Sequence, residues 1–200
     1  MSKTLQEKLK INSPTMRIVH NSGNNERYTP EYIIQLARKT MGKIDIDPAS
    51  CKVANDFLVK ADKYFDKETN GLLQEWNGKI WLNPPYERGL IESFVDKLLE
   101  EYRSKRTTEA IILTHNASET RWYGRLLEET TAMCIVSGRI RFYAINDVNE
   151  VFQPKGAPLQ GQFITYLGEN WETFCDIFKV LGTCLRPVRS QNETQSLLEL

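Results

Sequence analysis

The sequence predicts an α/β protein built on a mostly parallel sheet in three layers, with an antiparallel strand added at one edge. Short apolar runs alternate with longer segments whose apolar residues recur at helical spacing, the pattern of strands joined by helical crossovers. The connections between successive strands are long enough for such crossovers. One run, Ala110-Ile111-Ile112-Leu113, is continuously apolar, as a strand covered on both faces must be.

Taken in order, residues 1–26 are polar and irregular and are expected to form a flexible N-terminal arm. Thr29-Pro30-Glu31 opens a helix, with Thr29 suited to the N-cap, Pro30 to the first helical position and Glu31 to the positive end of the dipole. Ile33, Ile34, Ala37 and Met41 share one face, and Gly42 ends the helix. Free N–H groups at such an N-terminus can receive a carboxylate. Lys43–Asp47 alternates as a strand and runs into Pro48-Ala49-Ser50. An acid at the carboxyl end of a strand, followed by small residues, suits the ligand edge of an open α/β sheet. Asp47-Pro48-Ala49-Ser50 also reads as an ordinary turn and helix cap.

A short helix and a second strand around Tyr64-Phe65 follow, then a turn at Asn70-Gly71-Leu72 and a strand over Lys79–Leu82. Leu90, Ile91, Phe94, Val95, Leu98, Leu99 and Tyr102 define a core-facing helix. The strand over Glu109–Thr114 precedes a helix from Ser118 to Thr130, which carries Arg121 and Arg125. Thr131–Ser137 is read as a strand that turns back through Gly138–Tyr143 as a hairpin, supplying the antiparallel edge. Beyond a polar loop with Pro154, Gly156 and Pro158, Gln162–Leu167 forms the last strand and Trp171–Leu181 the last helix. One domain over 27–186 and a loose tail over 187–200 are expected.

Lysine plus arginine balances aspartate plus glutamate, 26 against 26, so no global charge points to nucleic acid, although a local basic face is compatible with neutrality. No apolar run approaches the roughly 20 residues of a membrane span. Cys51, Cys134, Cys175 and Cys184 show no C-x-x-C spacing, so no metal site is expected and reduced thiols in a cytoplasmic protein are the default.

The chemistry concentrates in Trp81-Leu82-Asn83-Pro84-Pro85-Tyr86, where a strand ends and a helix is about to begin. Pro84 and Pro85 stiffen the turn and remove two backbone donors. Asn83 offers a side-chain carbonyl, Pro84 a main-chain carbonyl, and Tyr86 a flat ring with a polar tip. Two acceptors beside an aromatic plate form a receptor for a planar group bearing an NH2, such as adenine. Gripping both N–H bonds draws the nitrogen toward tetrahedral geometry and frees its lone pair as a new bond forms.

This stretch resembles the Asn-Pro-Pro-Tyr motif of amino-group methyltransferases. With Tyr28-Thr29-Pro30, Ile46–Ser50, Ala54-Asn55, Tyr64-Phe65, Asn70-Gly71-Leu72 and Gly138–Phe142, the chain from Arg27 to Gly182 resembles the phage-type, Dam-like DNA adenine methyltransferases. The resemblance implies a Rossmann-like methyltransferase fold with a sheet of the seven-stranded type. It implies S-adenosylmethionine as cofactor, held by Tyr28, Thr29, Pro30, Asp47, Pro48, Ala49, Ser50 and Asn70, and double-stranded DNA as substrate. Asn83, Pro84, Pro85 and Tyr86 are the expected catalytic residues. Two departures stand out: the first loop is Asp-Pro-Ala-Ser where many methyltransferases have a Gly-rich loop, and Asn70 stands where an Asp is expected.

A base inside a duplex is paired and stacked, so adenine must be flipped out to be methylated. Arg121, Arg125, Arg139 and Arg141 are candidates for DNA contacts, and Phe142 for packing on the extruded base. A monomer or weak dimer in a bacterial cell or phage-infected host is expected. Rival readings are methylation of a glutamine amide or small-molecule amine, and a DNA-binding module without activity.

Overall fold

The computed structural model describes residues 27–146, 151–154 and 160–188. The N-terminal arm, most of the expected tail, and Gly156 and Pro158 of the polar loop lie outside the described residues.

Nine strands are described: β1 (Ile46–Asp47), β2 (Lys63–Tyr64), β3 (Gly78–Leu82), β4 (Thr107–His115), β5 (Ala132–Val136), β6 (Tyr143–Asn146), β7 (Val151–Pro154), β8 (Gln162–Leu167) and β9 (Gly182–Leu185). Helix α1 spans Glu31–Met41, and α2 is a short turn, Lys52–Ala54, continued by a π-turn over Asn55–Val59. Helices α3 (Leu90–Arg103), α4 (Arg121–Glu129) and α5 (Trp171–Phe178) complete the chain.

Seven strands form one sheet in the order β2-β1-β3-β4-β8-β5-β9. β1, β2, β3 and β4 pair in parallel. β8 then runs antiparallel between β4 and β5, and β9 closes the edge antiparallel to β5. The sheet is therefore the seven-stranded, Rossmann-like one the sequence implied, with an antiparallel edge strand.

Side-chain alternation builds the three layers. Trp81, Ile111 and Leu113 face one core with Ile33, Ile34 and Met41 of α1 and Phe174 and Phe178 of α5. Their neighbours Ile80, Leu82, Ala110 and Ile112 face the other, with Phe94, Val95 and Leu98 of α3 and Trp122, Tyr123 and Leu126 of α4. Phe174 stacks on Tyr166 at 5.0 Å between ring centroids and on Phe178 at 4.5 Å.

Two local expectations are corrected. The expected hairpin partner Gly138–Tyr143 is not a strand of the main sheet. Gly138 turns the chain at φ 85, and Arg139–Phe142 then runs outside any ladder. Only alternate residues of that stretch are apolar, so Ile140 and Phe142 are buried while Arg139 and Arg141 stay exposed. Tyr143–Asn146 instead pairs with Val151–Pro154 in a separate two-stranded sheet. The antiparallel edge is supplied by Gly182–Leu185, which approaches β5 so closely that a Cβ on Gly182 would lie 2.0 Å from the Ile135 carbonyl. β8, buried on both faces, takes an interior place.

Phe142, expected to pack on the extruded base, is 6 % exposed and belongs to the core beside α1. Truncating it with Phe142→Ala is expected to destabilise the protein by about 3–5 kcal/mol, seen as a lowered melting temperature.

Candidate active site

Parallel strands bring their carboxyl ends to one edge, and the crevice there is where open α/β sheets bind ligands. β1 ends in Asp47 and β4 in His115, while β2 leads into Phe65-Asp66, β3 into Asn83 and β5 into Ser137-Gly138. The sequence-predicted groups around Asp47, Asn70, Asn83 and Gly138 thus gather along one rim.

Asn83 follows the last residue of β3. Its Nδ2 donates to Thr29 Oγ1 at 3.1 Å, and its Oδ1 accepts from the Tyr86 hydroxyl at 3.2 Å. A hydrogen bond at each end holds the amide, with its NH2 toward Thr29 and its carbonyl toward Tyr86. The Tyr86 hydroxyl is also 3.4 Å from the Leu113 carbonyl. Its oxygen end is desolvated, which pushes its pKa up, an effect opposed by nearby Arg27. The residue as a whole nevertheless remains 37 % exposed. The Asn83 carbonyl is therefore turned toward Tyr86 and not into the core, and with two lone pairs it keeps one for a further donor. Pro84 is buried and Pro85 exposed.

Thr29 is not the helix cap the sequence suggested. Pro30, at φ −57 and ψ 139, occupies the N-cap, and Ile33 N–H donates to its carbonyl at 3.0 Å. The Thr29 hydroxyl serves Asn83 instead. Tyr28 forms a two-way backbone bridge with Tyr143, both N–H···O distances being 2.8 Å.

Asp47 is 3 % exposed, and its Oδ1 accepts a long bond, 3.3 Å, from Ala49 N–H. Burial raises its pKa to about 7, offset in part by the Ser50 side chain and the Ala49 N–H. Ser50 Oγ is near enough to lower that pKa but lacks hydrogen-bond geometry, and it is buried without a partner among the described residues. The loop is stitched to the next strand by Ser50 N–H to Phe65 O at 2.8 Å and Phe65 N–H to Asp47 O at 3.0 Å. Asn70 lies beside it: a Cβ on Gly71 would fall 2.0 Å from the Pro48 carbonyl, so only glycine lets these two loops meet. Asn70 itself sits at φ 48, is exposed, and uses its carbonyl to accept Leu72 N–H at 3.2 Å.

The residues proposed for DNA separate. Arg139 and Arg141 are displayed on the rim by the buried Ile140 and Phe142, with Ile140 N–H held by Gln162 Oε1 at 3.1 Å. Arg121 is exposed at the start of α4, on the same rim. Arg125 lies one turn further on and is engaged within the fold, its Nε and Nη2 meeting the Asp96 carboxylate at 2.8 and 3.0 Å.

Sequence reasoning missed two neighbours. His115 packs edge-on to Tyr86 at 5.0 Å and to Trp122 at 5.9 Å. Burial lowers its pKa, opposed by nearby Glu119, and its buried Nδ1 has no partner among the described residues. Its place at the end of the strand was the available signal. Asp66 follows β2, and its main-chain carbonyl accepts Asn70 N–H at 2.9 Å; its place just past a parallel strand end was the available signal. Its Oδ1 accepts the N–H groups of Glu68 and Thr69 at 3.1 and 2.9 Å, and these bonds lower its pKa.

Among the described residues no helix is long and apolar enough to cross a membrane. Residues 19–181 match the family model described as DNA N-6-adenine-methyltransferase (Dam). The chain is also 32 % identical over 97 residues to a DNA N-6-adenine-methyltransferase of Escherichia phage T1. That match covers 48 % of this chain and 37 % of the relative's length, so the chain aligns with less than half of that protein. Motif, sheet topology and family match concur: the chain belongs to the DNA N-6-adenine-methyltransferase (Dam) family.

Proposed function

We propose that the protein transfers a methyl group from S-adenosylmethionine to the exocyclic nitrogen of an adenine flipped out of double-stranded DNA. The observation that carries this reading is the oriented Asn83 amide, its carbonyl aimed at Tyr86 at the carboxyl end of β3. Its Oδ1, with the Pro84 carbonyl, would accept the two N–H bonds of the amine. Stacking on Tyr86, worth roughly 1–3 kcal/mol, offsets part of the few kcal/mol needed to unstack the base.

The residues at the neighbouring strand ends fit the cofactor. A buried carboxylate with no cationic partner among the described residues suits an ammonium or ribose hydroxyls, and the Ser50 hydroxyl, likewise without a partner there, is available to a polar group. When bound, the cofactor supplies an electrophilic methyl on a sulfonium. Tyr28 and Pro30 would border it beside the N-terminus of α1, with Pro48, Ala49 and Asn70 closing its other side. Neither His20 nor His115 is needed as a base, since the methylated amine becomes acidic and loses its proton to water.

Arg121, Arg139 and Arg141 are proposed to meet phosphates. Arg139→Ala or Arg141→Ala should each weaken DNA binding across sequences and reduce the salt slope by about 1. Arg125→Ala should leave that slope unchanged, because its guanidinium is already paired with Asp96.

The test is incubation with labelled S-adenosylmethionine and unmethylated DNA, beside protein and RNA controls. Label recovered in adenine supports the reading. Label in protein alone favours a glutamine amide as substrate, and DNA retention without label favours an inactive binding module.

A further inference from the structure

We propose that Thr29 is a positioning residue that acts on the reaction through Asn83, and not a cofactor ligand. This rests on the reading of Asn83 as the residue that grips the target amine. An amide can present either its oxygen or its NH2 to a substrate, and the wrong face would repel an amine. In this fold the NH2 end is anchored by a residue 54 positions away, whose Oγ1 takes the Asn83 N–H at 3.1 Å and leaves the carbonyl facing the Tyr86 side. The Tyr86 hydroxyl also favours the same face, but it must yield or share its place when the base arrives, whereas Thr29 lies on the other side of the amide.

Thr29 is built to hold still. It is 5 % exposed, so its hydroxyl does not exchange freely with solvent. On one side Tyr28 is clamped by the paired backbone bonds to Tyr143. On the other, Pro30 begins α1, whose Ile33, Ile34, Ala37 and Met41 are embedded in the core. A hydroxyl fixed at both flanks and aimed at a catalytic amide is costly to misplace, since misalignment by about 1 Å can cost on the order of 10²-fold in rate.

The experiment compares Thr29→Val, Thr29→Ala and Thr29→Ser in the full chain with wild type. Methyl transfer to DNA, calorimetric affinity for S-adenosylmethionine, and thermal melting are measured for each. In Thr29→Val, kcat should fall by about 10- to 100-fold while cofactor affinity stays within about twofold of wild type. Thr29→Ser should restore kcat to within about threefold.

The inference is overturned if cofactor affinity drops in step with kcat, which makes Thr29 a cofactor contact. It is equally overturned if serine is as impaired as valine, or if valine is as active as wild type. Should Thr29→Val fail to fold, Thr29→Ala is read in its place, with the same outcomes. An inactive wild-type protein would count against the proposed reaction instead. The inference is then decided by NMR: the Asn83 side-chain amide protons should exchange with solvent more slowly in wild type and Thr29→Ser than in Thr29→Ala. Equal exchange rates would sink it.

Discussion

Asn83→Ala is expected to lower kcat for methyl transfer by about 10²–10³-fold, or roughly 3–4 kcal/mol of transition-state stabilisation, while the protein still folds. Alanine removes the oxygen that would accept from the amine and leaves the Tyr86 hydroxyl, among the described residues, with the Leu113 carbonyl at 3.4 Å. Asn83 is only half-buried beyond the end of β3, so the core beneath it is untouched. Cofactor affinity should be unchanged within about twofold. Asn83→Asp should fall between the two, since a carboxylate still accepts but cannot donate to Thr29. Steady-state kinetics alongside thermal melting check both variants. A fall in melting temperature matching the loss of rate would mean that the turn is structural.

The second large effect is on cofactor binding as a function of pH. Burial holds the Asp47 carboxyl at about 7 in the free protein, against 3.8 for an exposed group. A bound ammonium favours the ionised form, so a proton must leave Asp47 when binding occurs at lower pH. The dissociation constant should therefore rise about tenfold for each pH unit below 7 and flatten above it. In Asp47→Asn that slope should vanish and the affinity at pH 7.5 should drop by about 10- to 100-fold. Stability moves the other way. Below about pH 4 both folded and unfolded states hold the proton, and Asp47 contributes nothing. Between about 4 and 7 only the unfolded state releases it, so the folded protein loses up to about 4 kcal/mol, a loss that persists above pH 7. Asp47→Asn, which keeps an oxygen for Ala49 N–H, should melt at a higher temperature than wild type at pH 8 and at the same temperature at pH 4. Calorimetry across that range measures both effects.

Much of this architecture was legible because short-range patterns carried it. The alternation of Ile80, Trp81 and Leu82 and the unbroken Ala110–Leu113 run declared buried strands, and the structure places them at the centre of the sheet. Arg139-Ile140-Arg141-Phe142 alternates just as clearly, yet it forms no ladder of the main sheet. Alternation states which side chains seek the core and not what the backbone pairs with. Gly182–Leu185, just past the expected end of the last helix, is too short to carry a strand signal of its own, yet Gly182 admits it to the edge of β5. Arg121 and Arg125 looked equivalent on one helix. Asp96, on a helix far off in sequence, distinguishes them.

By itself the sequence determined the chemistry on offer: an acceptor amide, stiffened by two prolines and followed by an aromatic ring, at the end of a buried strand. Those residues are contiguous, so their relation to one another survives without knowledge of the fold. Only the tertiary structure decided which face the amide presents, that Thr29 serves Asn83 and does not cap a helix, and that Asp47 is shielded enough to hold its proton near neutrality. Hydrogen-bond partners and desolvation are set by neighbours in space, and in a sheet with crossovers those neighbours come from distant parts of the chain.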